Sequence, residues 1–302
     1  MANSADNSPG LPWADRDSPL RCALMSPSHP LLSEELVDPI RKTIGEHAEL
    51  VFEDLVGDRT SELIAANPDI VMVLGGDGSI LRSARCMGAS QIPVVGINLG
   101  RLGFLADITV ARFPIAMQAL VAGECRLINH LMFDCQIYRD EQLISTTLGL
   151  NETAILGGAP FSILDVDLFI DGELATSYSC DGLIVSTPVG STAHNLSAGG
   201  PIVRKDVQCF VVSAVSPHTL TVRPVVDTAE RVFDMKVHKP RDSTSVVVDG
   251  QVVHQISEQD RIRVLRAEPQ FTMIEIPGHS YYKTLREKLG WGGRIASKKS
   301  KR

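Results

Sequence analysis

The sequence predicts an α/β domain followed by a domain of antiparallel β-structure. Three observations predict it. Between residues 20 and 123, short apolar runs alternate with helically spaced ones; glycine-rich turns follow two of those runs; and from Cys125 to about Ile276 strand-like runs dominate. Strand, turn, helix, strand is the βαβ grammar of a doubly wound, Rossmann-like sheet, whose ligands sit at the carboxyl ends of the strands.

In chain order, residues 1–19 read as a flexible polar leader without the basic start or apolar centre of a secretory signal. Arg21 to Ser26 reads as a buried strand, and Glu34 to His47 as a helix with Leu36, Ile40 and Ile44 at helical spacing. Asp69 to Leu74 (DIVMVL) suits a parallel strand covered on both faces. It ends in Gly75-Gly76-Asp77-Gly78, and Ser79 to Met87 reads as the helix that follows. Ile92 to Ile97 is a second buried strand, ending in the glycine-rich loop Asn98 to Asp107. Near Gly123 the pattern changes. Residues 124–278 carry runs such as LMFDCQIYR, ILDVDLFI, CFVVSAV, RIRVLR and FTMIEI, with Asp171-Gly172 and Asp249-Gly250 placed as tight hairpin turns. A helix over 279–292 aligns Tyr282, Leu285 and Leu289, with Gly290 to stop it, and residues 293–302 form a solvated basic tail.

A net charge of −7 excludes broad adhesion to nucleic acid or anionic membrane, since both need a basic footprint. No apolar run approaches the roughly 20 residues of a membrane span. The six cysteines are scattered, without a C-x-x-C pair, and read as free buried thiols of a cytoplasmic protein. The histidines show no metal-ligand spacing, so no protein-held metal site is expected.

Three stretches carry chemistry. In Gly75-Gly76-Asp77-Gly78 the glycines let backbone approach a phosphate at a helix start. Asp77 there would be repelled by polyphosphate unless it meets a hydroxyl or a magnesium ion; the competing reading is an Asp-Gly turn without chemistry. Asn151-Glu152, between two strand-like runs, could hold ribose hydroxyls or simply form a turn. The stretch from Asp181 to Pro201 brings Ser, Thr and Gly residues between apolar strands, where they can offer hydroxyls and amides to a nucleotide. There is no Walker phosphate loop and no G-x-S-x-G nucleophile elbow.

Taken in order, LGGDGSILRSAR, GINLGRLGFLAD, LNETAI, DGLIVSTPVGSTAHNLSAGGPIV, SPHTLTVRPVV, VDGQ and KTLREKLGW resemble the NAD kinase family over about residues 70–292. The resemblance implies that the second domain is an all-β sandwich and that the last helix packs back on the first domain. It implies an active site between the domains, a homodimer or homotetramer, and NAD and ATP as substrates with a divalent metal, Mg2+, arriving with the nucleotide. Carried over by position, Asp77 looks like the residue that orients or deprotonates the 2′-hydroxyl of NAD's adenosine ribose. Gly75, Gly76, Gly78 and Arg82 would lie near phosphates, and Phe104 near adenine. Asn151 and Glu152 would hold ribose hydroxyls, with Asp181 toward nicotinamide. Thr192, Ala193, His194, Asn195, Leu196, Ser197 and Gln251 would complete the dinucleotide pocket. Val189 and His194 depart from the family, which usually has threonine or serine and tyrosine there. On this reading Asp77→Asn removes turnover with little effect on stability. Two rival readings are a GGDG lipid kinase, which needs an apolar entry, and a dinucleotide sensor without activity.

Overall fold

The computed structural model describes residues 11–13, 16–27, 32–56, 59–100, 103–159, 163–278 and 280–290. The chain divides into two units: Met1–Ile80, Pro93–Leu127 and Ile274–Arg302 form one, and Leu81–Ile92 with Ile128–Met273 the other. The division thus falls at 127/128 and 273/274, against the expected 123/124 and 278/279, and it also places Leu81–Ile92 of the expected α/β domain with the second unit.

The first unit runs β1 (Arg21–Met25), α1 (Glu34–His47), β2 (Glu49–Asp54), α2 (Thr60–Ala66), β3 (Ile70–Leu74), the first turn of α3 (Asp77–Met87, grouped with the second unit from Leu81 on), β4 (Val94–Asn98), β5 (Ile108–Thr109) and α4 (Phe113–Val121). Its strands pair in parallel in the order β2-β1-β3-β4-β5. Every residue of β3 and β4 is buried, the signature of a sheet covered on both faces. Strand order reverses between β1 and β3, and there the Ser26 hydroxyl at the end of β1 donates to the Leu74 carbonyl at 3.1 Å. The turn after β3 therefore lies at a topological switch point.

On α1 the buried stripe is Val37, Ile40 and Ile44, with Leu36 on its margin. Leu11 and Trp13, inside the stretch read as leader, are buried in this unit's core, and the Trp13 Nε1 hydrogen bonds the Leu120 carbonyl at 3.2 Å. Two isolated apolar residues have no periodicity, so the sequence pattern could not reveal them. Residues 1–10 and the basic tail 293–302 lie outside the described residues.

The second unit is a β-sandwich. Its strands are β6 (Arg126–Arg139), β7 (Gln142–Gly149), β8 (Glu152–Leu156), β9 (Leu164–Ile170), β10 (Glu173–Cys180), β11 (Gly182–Ser186), β12 (Cys209–Val215), β13 (Val225–Thr228), β14 (Phe233–His238), β15 (Ser245–Val248), β16 (Gln251–Gln255) and β17 (Asp260–Glu275), with the short α5 (His194–Ser197) between β11 and β12. One sheet has the order β10-β9-β14-β17-β6-β7, the other β13-β12-β11-β8-β15-β16. The runs RIRVLR and FTMIEI are one strand, β17, which continues through Pro269. The inner faces interdigitate in a single core: Phe210 of one sheet meets Phe233 of the other edge-on, with ring centroids 5.5 Å apart. Asp171-Gly172 and Asp249-Gly250 are the expected hairpin turns, with φ of 50° and 84°, and of 47° and 78°. Positive φ at both positions is what makes Asp-Gly suited to such turns.

The last element is α6 (Tyr281–Leu289), grouped with the first unit; the Ser280 hydroxyl accepts the Lys283 N–H at its start and Gly290 ends it in the left-handed region. Of the three residues aligned by spacing, only Leu285 is buried; Thr284 is buried beside it, while Tyr282 and Leu289 are exposed. A helix of nine residues meets its unit along one turn rather than along its whole apolar stripe.

Candidate functional site

The first group of site residues is built around the end of β3. Gly75 donates its N–H to the Ile97 carbonyl at 2.9 Å and turns the chain at φ 139°, a conformation that excludes ordinary side chains. The Gly76 carbonyl then accepts the Ser79 and Ile80 N–H groups, which starts α3. A Cβ at Gly76 or Gly78 would meet nothing within 4 Å, so the backbone at this helix start is open to an approaching anion.

Asp77 is half-buried in the first turn of α3, and its carboxylate reaches across to the loop after β4. Oδ2 accepts the Phe104 N–H at 2.8 Å, and Oδ1 accepts those of Leu105 and Ala106 at 2.9 and 3.0 Å. Gly103 is the residue that permits this approach: a Cβ there would lie 2.0 Å from Oδ1 of Asp77. Asn98 braces the same loop, its side chain donating to the Ala106 carbonyl and accepting the Gly100 N–H. Above the loop, the Lys288 ammonium of α6 sits 4.0 Å from the centroid of the Phe104 ring. A carboxylate offers about four acceptor sites. Among the described residues three donors take them up, so Asp77 is fixed in orientation with one position left for a further donor.

The second group lies in the sandwich. Leu150 and Asn151 turn the chain from β7 into β8, which opens with Glu152. The turn is tied to the stretch after β11: the Thr187 hydroxyl donates to the Leu150 carbonyl at 2.6 Å and its N–H to the Asn151 carbonyl at 2.8 Å. Glu152 is 6% exposed, and its Oε2 has no hydrogen-bond partner among the described residues. Burial, reinforced by the charge of Asp249, pushes its carboxyl up to about 8, against the opposing effect of the His194 N–H. Asp249 is buried and accepts the N–H groups of Leu150, Asn151 and Glu152 at 2.9, 2.7 and 3.2 Å. Arg85 Nη1 stands 3.8 Å from its Oδ2.

The remaining expected residues are placed unevenly. Thr192, Ala193, His194 and Leu196 are half-buried around α5, and Ser197 is exposed. Asn195 is fully buried with its amide directed into the protein: it donates to the Ser191 and Pro201 carbonyls and accepts from the Ser213 hydroxyl. Its side chain shapes the loop around Gly200 rather than facing outward. Asp181 is exposed, 3.9 Å from His218 Nε2. Gln251 is exposed in β16, two residues after Asp249, and Arg82 is exposed on α3. Val189 is buried.

Residues 38–125 match the ATP-NAD kinase N-terminal domain and residues 150–276 the ATP-NAD kinase C-terminal domain. An NAD kinase of Rhodopirellula baltica is 49% identical over 296 residues, 98% of this chain and 94% of that protein. The chain belongs to the NAD kinase family. An NAD kinase of Koribacter versatilis is 34% identical over 90% of this chain and 98% of that one. Among solved structures, an Archaeoglobus fulgidus NAD kinase in complex with ATP has a TM-score of 0.70 at 27% identity, covering 90% of this chain and 98% of its own. Yeast NADH kinase complexed with NADH has a TM-score of 0.80 at 20% identity, covering 94% and 91%, and shares the fold.

Within this NAD kinase fold, sequence reasoning missed Gly103, Thr187, Arg85 and Asp249. Each acts on a residue far away in sequence: Asp249 binds amides 97 to 99 positions earlier. Each lies inside a stretch the sequence singled out, but the local signal did not reach these roles: Asp249-Gly250 read only as a turn, and Gly103 and Thr187 only as members of small-residue loops.

Proposed function

We propose that this chain transfers the terminal phosphoryl group of ATP to the 2′-hydroxyl of NAD's adenosine ribose, giving NADP. The observation that carries the reading is Asp77: a carboxylate at the open N-terminal turn of α3, clamped by three amides with one acceptor position left. Such a group suits a hydroxyl that must be held and relieved of its proton as it attacks phosphorus. Phosphoryl transfer asks mainly for alignment and charge neutralisation, and the amides around Gly76 and Gly78, with Arg82, can supply part of both. Asn151 and Glu152 hold ribose hydroxyls, Phe104 stacks toward adenine, and Asp181, the α5 segment and Gln251 line the rest of the dinucleotide.

Among the described residues no three His, Cys, Asp or Glu side chains converge on one point, so these residues do not fit an all-protein metal cage. They do fit a magnesium ion carried by the triphosphate, which needs few protein ligands. When bound it would neutralise phosphate charge. No helix among the described residues is long and apolar enough to cross a membrane. The six free thiols are what a reducing cytoplasm maintains. Exposed Val225 and Val226 on the edge strand β13 support a homo-oligomer.

The test is product identity. Purified protein, ATP, Mg2+ and NAD should yield a dinucleotide whose new phosphorus couples to the ribose 2′ proton in a phosphorus–proton correlation spectrum. A phosphate on the 3′ carbon, or none, would overturn the reading.

A further inference from the structure

We propose that Asp249 is a positioning residue for ligand capture at Glu152: it shapes the Asn151–Glu152 turn and supplies the negative charge against which Glu152 gives up its proton when a ribose hydroxyl binds. This rests on the reading above, in which Glu152 faces a ribose of NAD.

The geometry is specific. The Asp249 side chain has no exposed surface, yet its two oxygens accept three consecutive amide N–H groups, from Leu150, Asn151 and Glu152. Its own N–H donates to the Glu152 carbonyl at 3.1 Å. The turn and the hairpin that carries Asp249 are thereby locked together. Arg85, on α3, adds a cation at 3.8 Å from Oδ2 and a hydrogen bond to the Asp249 carbonyl at 3.4 Å.

Burial raises both carboxyls, but only Asp249 has three amide hydrogens and a guanidinium to offset it, so Asp249 is the member of the pair that ionises first. Glu152, offset among the described residues by the His194 N–H alone, keeps its proton to about 8. The groups that act on it are the Asp249 carboxylate from the β15–β16 turn and the His194 backbone N–H at the start of α5, with Arg85 of α3 standing beside Asp249. Its Oε2 is a buried atom with no partner, which is costly unless a ligand supplies one. A ribose hydroxyl donating to Oε2 meets that need, and it selects the ionised carboxylate. The proton leaves Glu152 for solvent, and no other bond changes. Binding is then coupled to proton release, and Asp249 and Arg85 set the pH at which the coupling ends.

The experiment is titration calorimetry of NAD into the whole protein from pH 6 to 9, in two buffers of different ionisation enthalpy. Wild type should release up to about one proton at pH 7, and affinity should rise by up to about tenfold per pH unit before levelling near pH 8. Asp249→Asn should level off at lower pH and release less at pH 7. Arg85→Gln, which removes the opposing cation, should level off at higher pH. A merely structural Asp249 would instead weaken binding by one factor at every pH. If Asp249→Asn does not fold, the direction of the Arg85→Gln displacement decides. Parallel profiles in wild type and variants, or wild-type binding without proton release, would overturn this inference and leave the functional reading standing. No NAD binding by wild type at any pH would overturn both.

Discussion

Asp77→Asn is expected to destabilise the protein as well as to inactivate it. In place of a carboxylate that accepts three amides, asparagine brings one acceptor and an amino group. With its oxygen at the Oδ1 position it keeps the Leu105 and Ala106 N–H groups, but its amino group then faces the Phe104 N–H, donor against donor. One charge-assisted bond is lost and two become neutral. Hydrogen bonds to a charged group contribute about 1.5–3 kcal/mol and neutral ones about 0.5–1.5. For a half-buried site the sum is on the order of 2–3 kcal/mol, or roughly 5–10 °C in melting temperature. Asp77→Ala should cost more, since all three amides lose their acceptor. Gly103→Ala attacks the same contact from the other side, forcing a Cβ to within 2.0 Å of Oδ1 unless the loop moves. Thermal melts, with hydrogen exchange at residues 103–106, measure the effect. Wild-type melting and unchanged amide protection in Asp77→Asn would refute the role of this carboxylate as anchor of the loop. That outcome would restore the sequence-based expectation of a stability-neutral change.

Three further outcomes follow from buried charges and thiols. Burial pushes Asp260 up, but the Arg139 guanidinium, the Ser257 N–H and His254 outweigh it and hold its carboxyl well below the usual range. Its contribution is complete above the unfolded value near 4 and is lost as pH falls toward the folded value, so Asp260→Asn should cost about 1.5–3 kcal/mol at pH 7 and less in acid, read by denaturant melts. A carboxyl raised to about 8 works the other way: between about 4.5 and 8 folding retains a proton that the unfolded chain releases, so Glu152 costs stability as pH rises. Glu152→Gln should therefore raise the melting temperature, more at pH 8 than at pH 5; equal melting at both would contradict the buried, protonated acid. Finally, burial pushes the Cys22 and Cys135 thiols up to about 12, whereas Cys86 is half-buried on α3. A thiol reagent at neutral pH should label Cys86 first in the native protein, as peptide mapping would report.

Elements with a strong period or an unbroken apolar run were legible in the sequence: β1, α1, β3, α3 and β4 all lie where the pattern puts them, within two residues. Of the elements it did not reveal, three in the first unit have weak patterns for definable reasons. β2 is a half-exposed edge strand, α2 is seven residues long with only Leu63 buried, and α4 (FPIAMQALV) is apolar on too many sides to show a helical stripe. The Asp-Gly hairpins were legible because turn chemistry is local. The site was legible as a set of motifs but not as a geometry. GGDG marked the head of α3, yet nothing near Asp77 indicates that its carboxylate is held by amides 27 to 29 residues on. Asn195 is the converse case: a polar residue inside a nucleotide-like stretch whose side-chain amide bonds within the protein.

The most direct test of the account is the rate of NADP formation from NAD and ATP, followed with an NADP-specific dehydrogenase, in wild type and in Asp77→Asn at a temperature where both are folded. Wild type should turn over and the variant should lose about 10²–10⁴-fold in kcat, the range of a lost general base. An Asp77→Asn protein that forms NADP at close to the wild-type rate would contradict the claim that Asp77 holds and deprotonates the attacking hydroxyl.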